Sequence, residues 1–161
     1  MPTPQRLLAI GRIDSPPAGI ELLRQEDTGA GGGHLTGLVE DWESGESDFS
    51  RPEEAFFEVR VGDRLIGLGG ISVDPSSTQG STAGRIRHLY ILEEMRRSGV
   101  GSALLQVILA HADGNFRRVR LRCDDEAVAR WADARGFSPI ESADGTTYER
   151  LLGAGQNLVF E

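Results

Sequence analysis

Apolar positions along the chain recur with a period of two in some stretches and near 3.6 in others, and the changes of period mark the elements. Residues 6–13, RLLAIGRI, read as a first strand. A helix is predicted over Ala18–Glu26, where Ile20, Leu22 and Leu23 are apolar. DTGAGGGH, Asp27–His34, breaks it, because four glycines in five residues carry a high entropy cost. Leu35, Leu38, Val39 and Trp42 return to helical spacing and predict a second helix over Leu35–Glu43. Ser44–Glu54 is polar, contains Pro52 and reads as a loop.

The pattern then turns extended. AFFEVRV (Ala55–Val61) and RLIGLGGISV (Arg64–Val73) flank Gly62-Asp63, a hairpin signal. Asp74–Gly84 is a polar loop, and RIRHLYIL (Arg85–Leu92) is the next strand, followed by the turn EEMRRSG. Val100, Ala103, Leu104, Val107, Ile108 and His111 define the clearest amphipathic helix. Arg117–Cys123 alternates charged and apolar residues as a strand does. Asp124 and Asp125 offer N-caps to a helix over Asp125–Arg135, which Gly136 stops. Phe137–Ile140 and Thr146–Leu152 close the chain as two strands around Ala143-Asp144-Gly145. Hairpins and helical crossovers both occur, so the expectation is one α/β domain over residues 1–152. Its sheet would be mixed and mostly antiparallel, with six or seven strands flanked by about four helices. Residues 153–161 form a tail.

Composition narrows the chemistry. Net charge is −8, which disfavours nucleic acid as a partner. No apolar run approaches the eighteen residues of a membrane span, and Leu7–Ile10 is too short for a signal-peptide core. Cys123 is the single cysteine, so no intramolecular disulfide forms, and a cytoplasmic location is expected. All 17 basic residues are arginine. A phosphate-binding loop ending in Gly-Lys-Ser/Thr is therefore excluded, as is Schiff-base lysine chemistry. His34, His88 and His111 are scattered, so no metal is expected.

The informative segment is Leu89–Leu105, where a buried strand leads through a charged turn into a helix that starts on glycines. Unpaired N–H groups at a helix start attract anions, and the helix dipole adds about half a positive charge. Glycines let a diphosphate approach the backbone, and Arg96 and Arg97 can add charge-assisted bonds. Arg96-Arg97-Ser98-Gly99-Val100-Gly101-Ser102 resembles the core signature of the GNAT superfamily of N-acetyltransferases, a glutamine or arginine followed by x-x-Gly-x-Gly/Ala. Asp124–Phe137 resembles the family's second motif, a helix ending in Gly-Phe, and GDRLIGLGGISV resembles the hairpin strand before both. The resemblance covers roughly Phe56–Leu152.

The resemblance implies acetyl-CoA as co-substrate and a splay between strands 85–92 and 117–123 that holds pantetheine. It implies backbone contacts at Leu89, Tyr90 and Ile91. Diphosphate contacts would fall on Arg96, Arg97, Ser98, Gly99, Val100 and Gly101, with Ser102 nearby. Asp125 stands where the family often has asparagine. The chain departs from the pattern at Ala132, where the family often has a tyrosine that serves as general acid, and at Glu93, where it commonly has proline. His88 is the candidate general base and Tyr148 the candidate substitute acid. Each also has a plain reading as a packing residue, as do Trp42 and Tyr90. Cys123 has the plain reading of an inert buried thiol. The expected activity is transfer of an acetyl group to a small-molecule or peptide amine by direct attack. The alternatives are a non-catalytic acyl-CoA-binding sensor and a partner-binding module that keeps only the fold. No nucleic-acid or membrane partner is expected, and a homodimer is left open.

Overall fold

The elements of the computed structural model follow the predicted order, and the structure describes residues 7–75, 83–141 and 146–152. They are β1 (Leu8–Ile13), α1 (Ile20–Gly29), α2 (Leu38–Ser44), β2 (Ala55–Val61), β3 (Arg64–Val73), β4 (Ala83–Ile91), α3 (Val100–Ala112), β5 (Arg118–Arg122), α4 (Glu126–Ala134), β6 (Ser138–Pro139) and β7 (Thr147–Leu151). A 3-10 turn, Glu93–Met95, lies between β4 and α3. The seven strands form one sheet in the order β1-β2-β3-β4-β5-β7-β6. Only β4 and β5 are parallel among these neighbours, because α3 carries the chain across between them. The single α/β domain, its mixed and mostly antiparallel sheet and its four α-helices all agree with the sequence reading.

Each face of the sheet is covered. On one face Trp42 of α2 packs its ring against Phe49 and Phe56, with centroids 5.3 and 5.0 Å away, so Trp42 is a core residue. On the other face α3 buries Leu104, Leu105 and Ile108, the stripe that its periodicity predicts. Burial contributes about 2 kcal/mol for each such side chain, and this fixes α3 across β2, β3 and β4. The register sorts β4 between the two faces. Ile86 pairs with Ile71 on the α3 side, whereas Arg85 and Arg87 stand opposite Ser72 and Gly70 on the α1/α2 side.

Several boundaries differ from expectation: β4 already begins at Ala83, inside the loop predicted over Asp74–Gly84, and three further shifts stand out. α1 continues to Gly29, because the N–H groups of Ala30, Gly31 and Gly32 bond back to Glu26, Thr28 and Asp27. The glycines therefore close the helix instead of interrupting it. The buried Asp27 carboxylate accepts the Leu35 N–H at 3.0 Å and ties down the loop beyond. α2 starts at Leu38 and not at Leu35, since Gly37 has φ 77, which a right-handed helix does not admit. β6 is reduced to Ser138–Pro139 at the sheet edge, although Ile140 beyond it still donates its N–H to Thr147 at 3.0 Å. The predicted turn Ala143-Asp144-Gly145 and the tail 153–161 lie outside the described residues, as does most of the predicted loop 74–84.

Candidate functional site

β4 is the axis of the site. Along one edge it pairs with β3 from Gly84 to Ile91. Along the other it pairs with β5 only at Ala83, Gly84 and Arg85, opposite Arg118, Val119 and Arg120. β5 parts from β4 beyond Arg120, while its other edge stays paired along its length with β7, so a slot opens beside Ile86–Ile91. Leu92 donates its N–H to Ile66 on the β3 side at 2.9 Å. Strand alternation then turns the backbone of Leu89 and Ile91 to the slot and that of Tyr90 to β3.

A bulge bends β4 where the slot opens. The register shifts between Leu68 and Gly70, so Gly69 alone faces His88 and Leu89. His88 takes the left-handed conformation, φ 57. Gly69 permits the crossing, since a Cβ there would lie 2.9 Å from Leu89 Cδ1 and 3.3 Å from its Cα. A left-handed non-glycine residue is costly, and such strain collects at functional sites.

His88 is half-buried against the α1–α2 loop, where its Nδ1 lies 2.7 Å from the His34 carbonyl oxygen. A carbonyl only accepts, so Nδ1 carries the proton and Nε2 keeps its lone pair. Burial pushes the His88 pKa below its ordinary 6.5, and Arg87 adds to this, while the bond to His34 opposes it. The imidazole is thus a neutral base at physiological pH.

The turn after β4 leads straight to α3. Arg97 has φ 61 and Gly99 has φ 88 at the N-cap position, with no side chain closing the helix. The first well-formed helical bond runs from the Ala103 N–H to Gly99 at 3.0 Å. The N–H groups of Val100, Gly101 and Ser102 therefore open away from the helix start. The first turn of α3 holds no acidic residue, which leaves its dipole available to an anion. α4 is finished internally by contrast: Asp125 accepts the Val128 N–H at 2.8 Å, so its carboxylate is a helix cap.

Arg96 and Tyr90 serve the frame of this turn. Arg96 Nε donates to the Ile91 carbonyl at 2.7 Å, and its guanidinium lies 5.1 Å from the centre of the Tyr90 ring. Tyr90 donates its hydroxyl to Glu26 of α1 at 2.7 Å, and the same carboxylate oxygen accepts the Glu93 N–H at 2.9 Å. Burial and the Glu26 carboxylate raise the Tyr90 pKa to about 12, so the phenol stays protonated. Sequence reading missed Glu26, which acts across 64 positions with no local signal. It also missed Arg135, whose Nε donates to Ser102 Oγ at 2.9 Å while its guanidinium stacks 4.7 Å from the Trp131 ring centre. This places a second arginine beside the start of α3.

The remaining candidates are placed as follows. Tyr148 pairs with Leu121, one residue past the end of the β4–β5 junction, on the face that carries α3. Cys123 is buried, and burial lifts its pKa to about 11, which makes it an unreactive thiol. Ala132 is fully buried on α4. His111 is held by the Glu53 carbonyl and the Phe57 ring, away from His88. Among the described residues no three His, Cys, Asp or Glu side chains are grouped to hold a metal, and no helix is long and apolar enough to cross a membrane.

Comparison with known proteins agrees with this geometry. No curated protein sequence matches the chain. A provisionally named acetyltransferase from Exiguobacterium sp. 255-15 superposes with a TM-score of 0.78 at 21% identity, over 89% of this chain and 93% of that one. An acetyltransferase from Streptococcus agalactiae 2603 gives 0.71 at 12% identity, over 90% and 98%. Ard1 from Thermoplasma volcanium gives 0.63 at 23% identity, over 91% and 98%. At these identities the structures establish the fold. The profile of the acetyltransferase (GNAT) family matches residues 20–137, and the chain belongs to that family of acyl-CoA-dependent acyltransferases.

Proposed function

We propose that this chain transfers the acetyl group of acetyl-CoA to an amine by direct attack in a ternary complex. The observation that carries the proposal is the open edge of β4 running into the uncapped start of α3. The amides of pantetheine would take the place of β5 along that edge and bond to the backbone of Leu89 and Ile91. The diphosphate would rest on the N–H groups of Arg97–Ser102, with Arg96 holding the shape of the turn. Gly101 supports this reading. A Cβ there would meet nothing nearer than 3.7 Å, so the fold has room for one. A glycine inside a helix nevertheless costs about 1 kcal/mol relative to alanine.

Chemistry would run between the two faces of the sheet. An alkylamine has a pKa of about 10 and reaches the site protonated. His88 Nε2 takes one proton from it, and the freed lone pair forms the C–N bond at the thioester carbonyl. An N–H of the Leu89–Ile91 segment stabilises the developing oxyanion. The C–S bond then breaks. A thiol pKa of about 8.5 makes the thiolate a good leaving group; Tyr148, on the α3 face, supplies its proton, and the second proton that the attacking nitrogen sheds as the amide forms passes through water to restore the Tyr148 hydroxyl. Ala132 favours a second reading, a non-catalytic acyl-CoA sensor, because the usual phenol position holds a buried methyl group. A screen of amines with acetyl-CoA, read by thiol release, separates the two. Release with at least one amine is expected. Tight acetyl-CoA binding without release from any amine would establish the sensor instead.

A further inference from the structure

The α1/α2 face beside His88 carries two arginines that form no ion pair among the described residues. Arg85 and Arg87 stand two residues apart on that face of β4, both half-buried. Arg85 pairs across the junction with Arg120 of β5. The nearby acids are engaged there: Arg120 bonds Asp74 and Glu149 at 2.9 Å each, and Arg118 meets Glu149 at 3.6 Å. Arg122 is paired with Asp124. Among the described residues, neither Arg85 nor Arg87 forms an ion pair, and Arg87 donates to the Ser72 hydroxyl at a long 3.4 Å. Two half-buried guanidinium groups are thus in no ion pair among the described residues, in a chain of net charge −8. Arginine does not deprotonate, and its fork of donors matches a carboxylate or phosphate.

We infer that Arg85 and Arg87 form the anion subsite of the acceptor, which is a small amine carrying a carboxylate or phosphate group. The inference rests on the transferase reading above, because it takes the site beside His88 as the place where the amine reacts. Arg87 adjoins His88 in the chain, so an oxyanion held by the arginine pair leaves an amine on the same small molecule within reach of the imidazole. Asp41 of α2 acts electrostatically on the same imidazole and offers a partner to the incoming ammonium. Polyamines would be repelled by the arginine pair.

The test compares α-amino acids and aminoalkylphosphonates with the matching amino-acid amides and a polyamine. Calorimetry reads their binding in the presence and absence of CoA, and thiol release reads their reaction with acetyl-CoA. The oxyanionic amines are expected to be preferred by about tenfold or more, as for charge-assisted recognition. Arg85→Gln/Arg87→Gln should abolish that preference and raise KM for the acceptor, with KM for acetyl-CoA unchanged. Arg85→Lys/Arg87→Lys should restore part of it. Carboxylates favoured over phosphonates, or the reverse, identify the group. Equal use of amides and acids, or a preference that survives the glutamine pair, overturns the anion subsite and leaves the transferase intact. Failure to bind acetyl-CoA overturns the transferase reading, while calorimetry without CoA still reports on the arginine pair. Absence of any binding by oxyanionic amines at millimolar concentration overturns the subsite.

Discussion

The two edges of β4 are built from the same residues and treated in opposite ways. Toward β3 the strand is paired from Gly84 to Ile91, and the one irregularity is absorbed by a bulge. Toward β5 it is paired at three positions and then abandoned. A β-strand leaves half of its backbone groups on each edge, so the open edge keeps donors and acceptors that the closed edge has spent, apart from the Ile91 carbonyl, which accepts from Arg96. On the proposed reading a peptide-like ligand would need no dedicated loop here: one strand is withheld, and the open edge has the bonding pattern of the missing neighbour. The bulge couples the two edges, since the extra residue that it admits is His88.

The largest effect should come from filling the far end of the open edge. Gly101→Val is expected to weaken acetyl-CoA binding about a hundredfold or more, a loss of about 2.7 kcal/mol, with the circular dichroism spectrum retained. Gly101→Ala, which adds a Cβ in ordinary contact with Trp131 and Ile91, should weaken binding by a smaller factor than the valine. It should also unfold at higher denaturant, by up to about 1 kcal/mol. Wild-type affinity in a folded Gly101→Val protein would remove the diphosphate from this turn. Gly99 is a poorer probe, because its φ of 88 makes any side chain there a backbone strain.

A smaller effect tests the bulge. His88→Gln should lower kcat/KM by about 10²-fold, within the usual range for a general base. It should also erase the acidic limb of the pH profile. In the wild type that limb should have its midpoint below 6.5, because burial holds the imidazole neutral. The same sign governs stability. The folded state resists protonation of His88, so this contribution is complete above about 6.5 and is lost as pH falls through the depressed folded pKa. A limb that persists unchanged in His88→Gln would return this residue to a packing role.

The smallest effect lies across β5. Tyr148→Phe should reduce kcat by about tenfold, with KM for acetyl-CoA little changed, as for an interaction made mainly in the transition state. An unaltered kcat with a chemistry-limited amine would assign the proton to water.

Legibility in the sequence followed the range of the interactions. α3 and the glycine turn were readable because a helical stripe and an N-terminal glycine are local signals, and the structure begins the helix at the expected Val100. The β2–β3 hairpin was readable because Gly62-Asp63 sits between two alternating runs. The bulge was not, since the left-handed His88 follows from its pairing opposite Gly69 and not from the residues around it. Nor was the tie from Glu26 to Tyr90 and Glu93, or the bond from Arg135 to Ser102, because each joins residues that only the fold brings together. Asp125 illustrates the converse. Its capping role was legible from position alone, and the structure supplies the bond to Val128.

The three-pair junction between β4 and β5 has a thermodynamic consequence. Among the described residues it is the only strand pairing that joins the β1–β4 section of the sheet to β5, β6 and β7. A molecule seated in the slot therefore completes the seam that the protein leaves unfinished. Ligand present at a hundred times its dissociation constant adds about 2.7 kcal/mol to the folded state by mass action. On the proposed reading, part of the protein's resistance to unfolding would be on loan from its co-substrate, and the seam would be at its weakest in the interval after one CoA departs and before the next arrives.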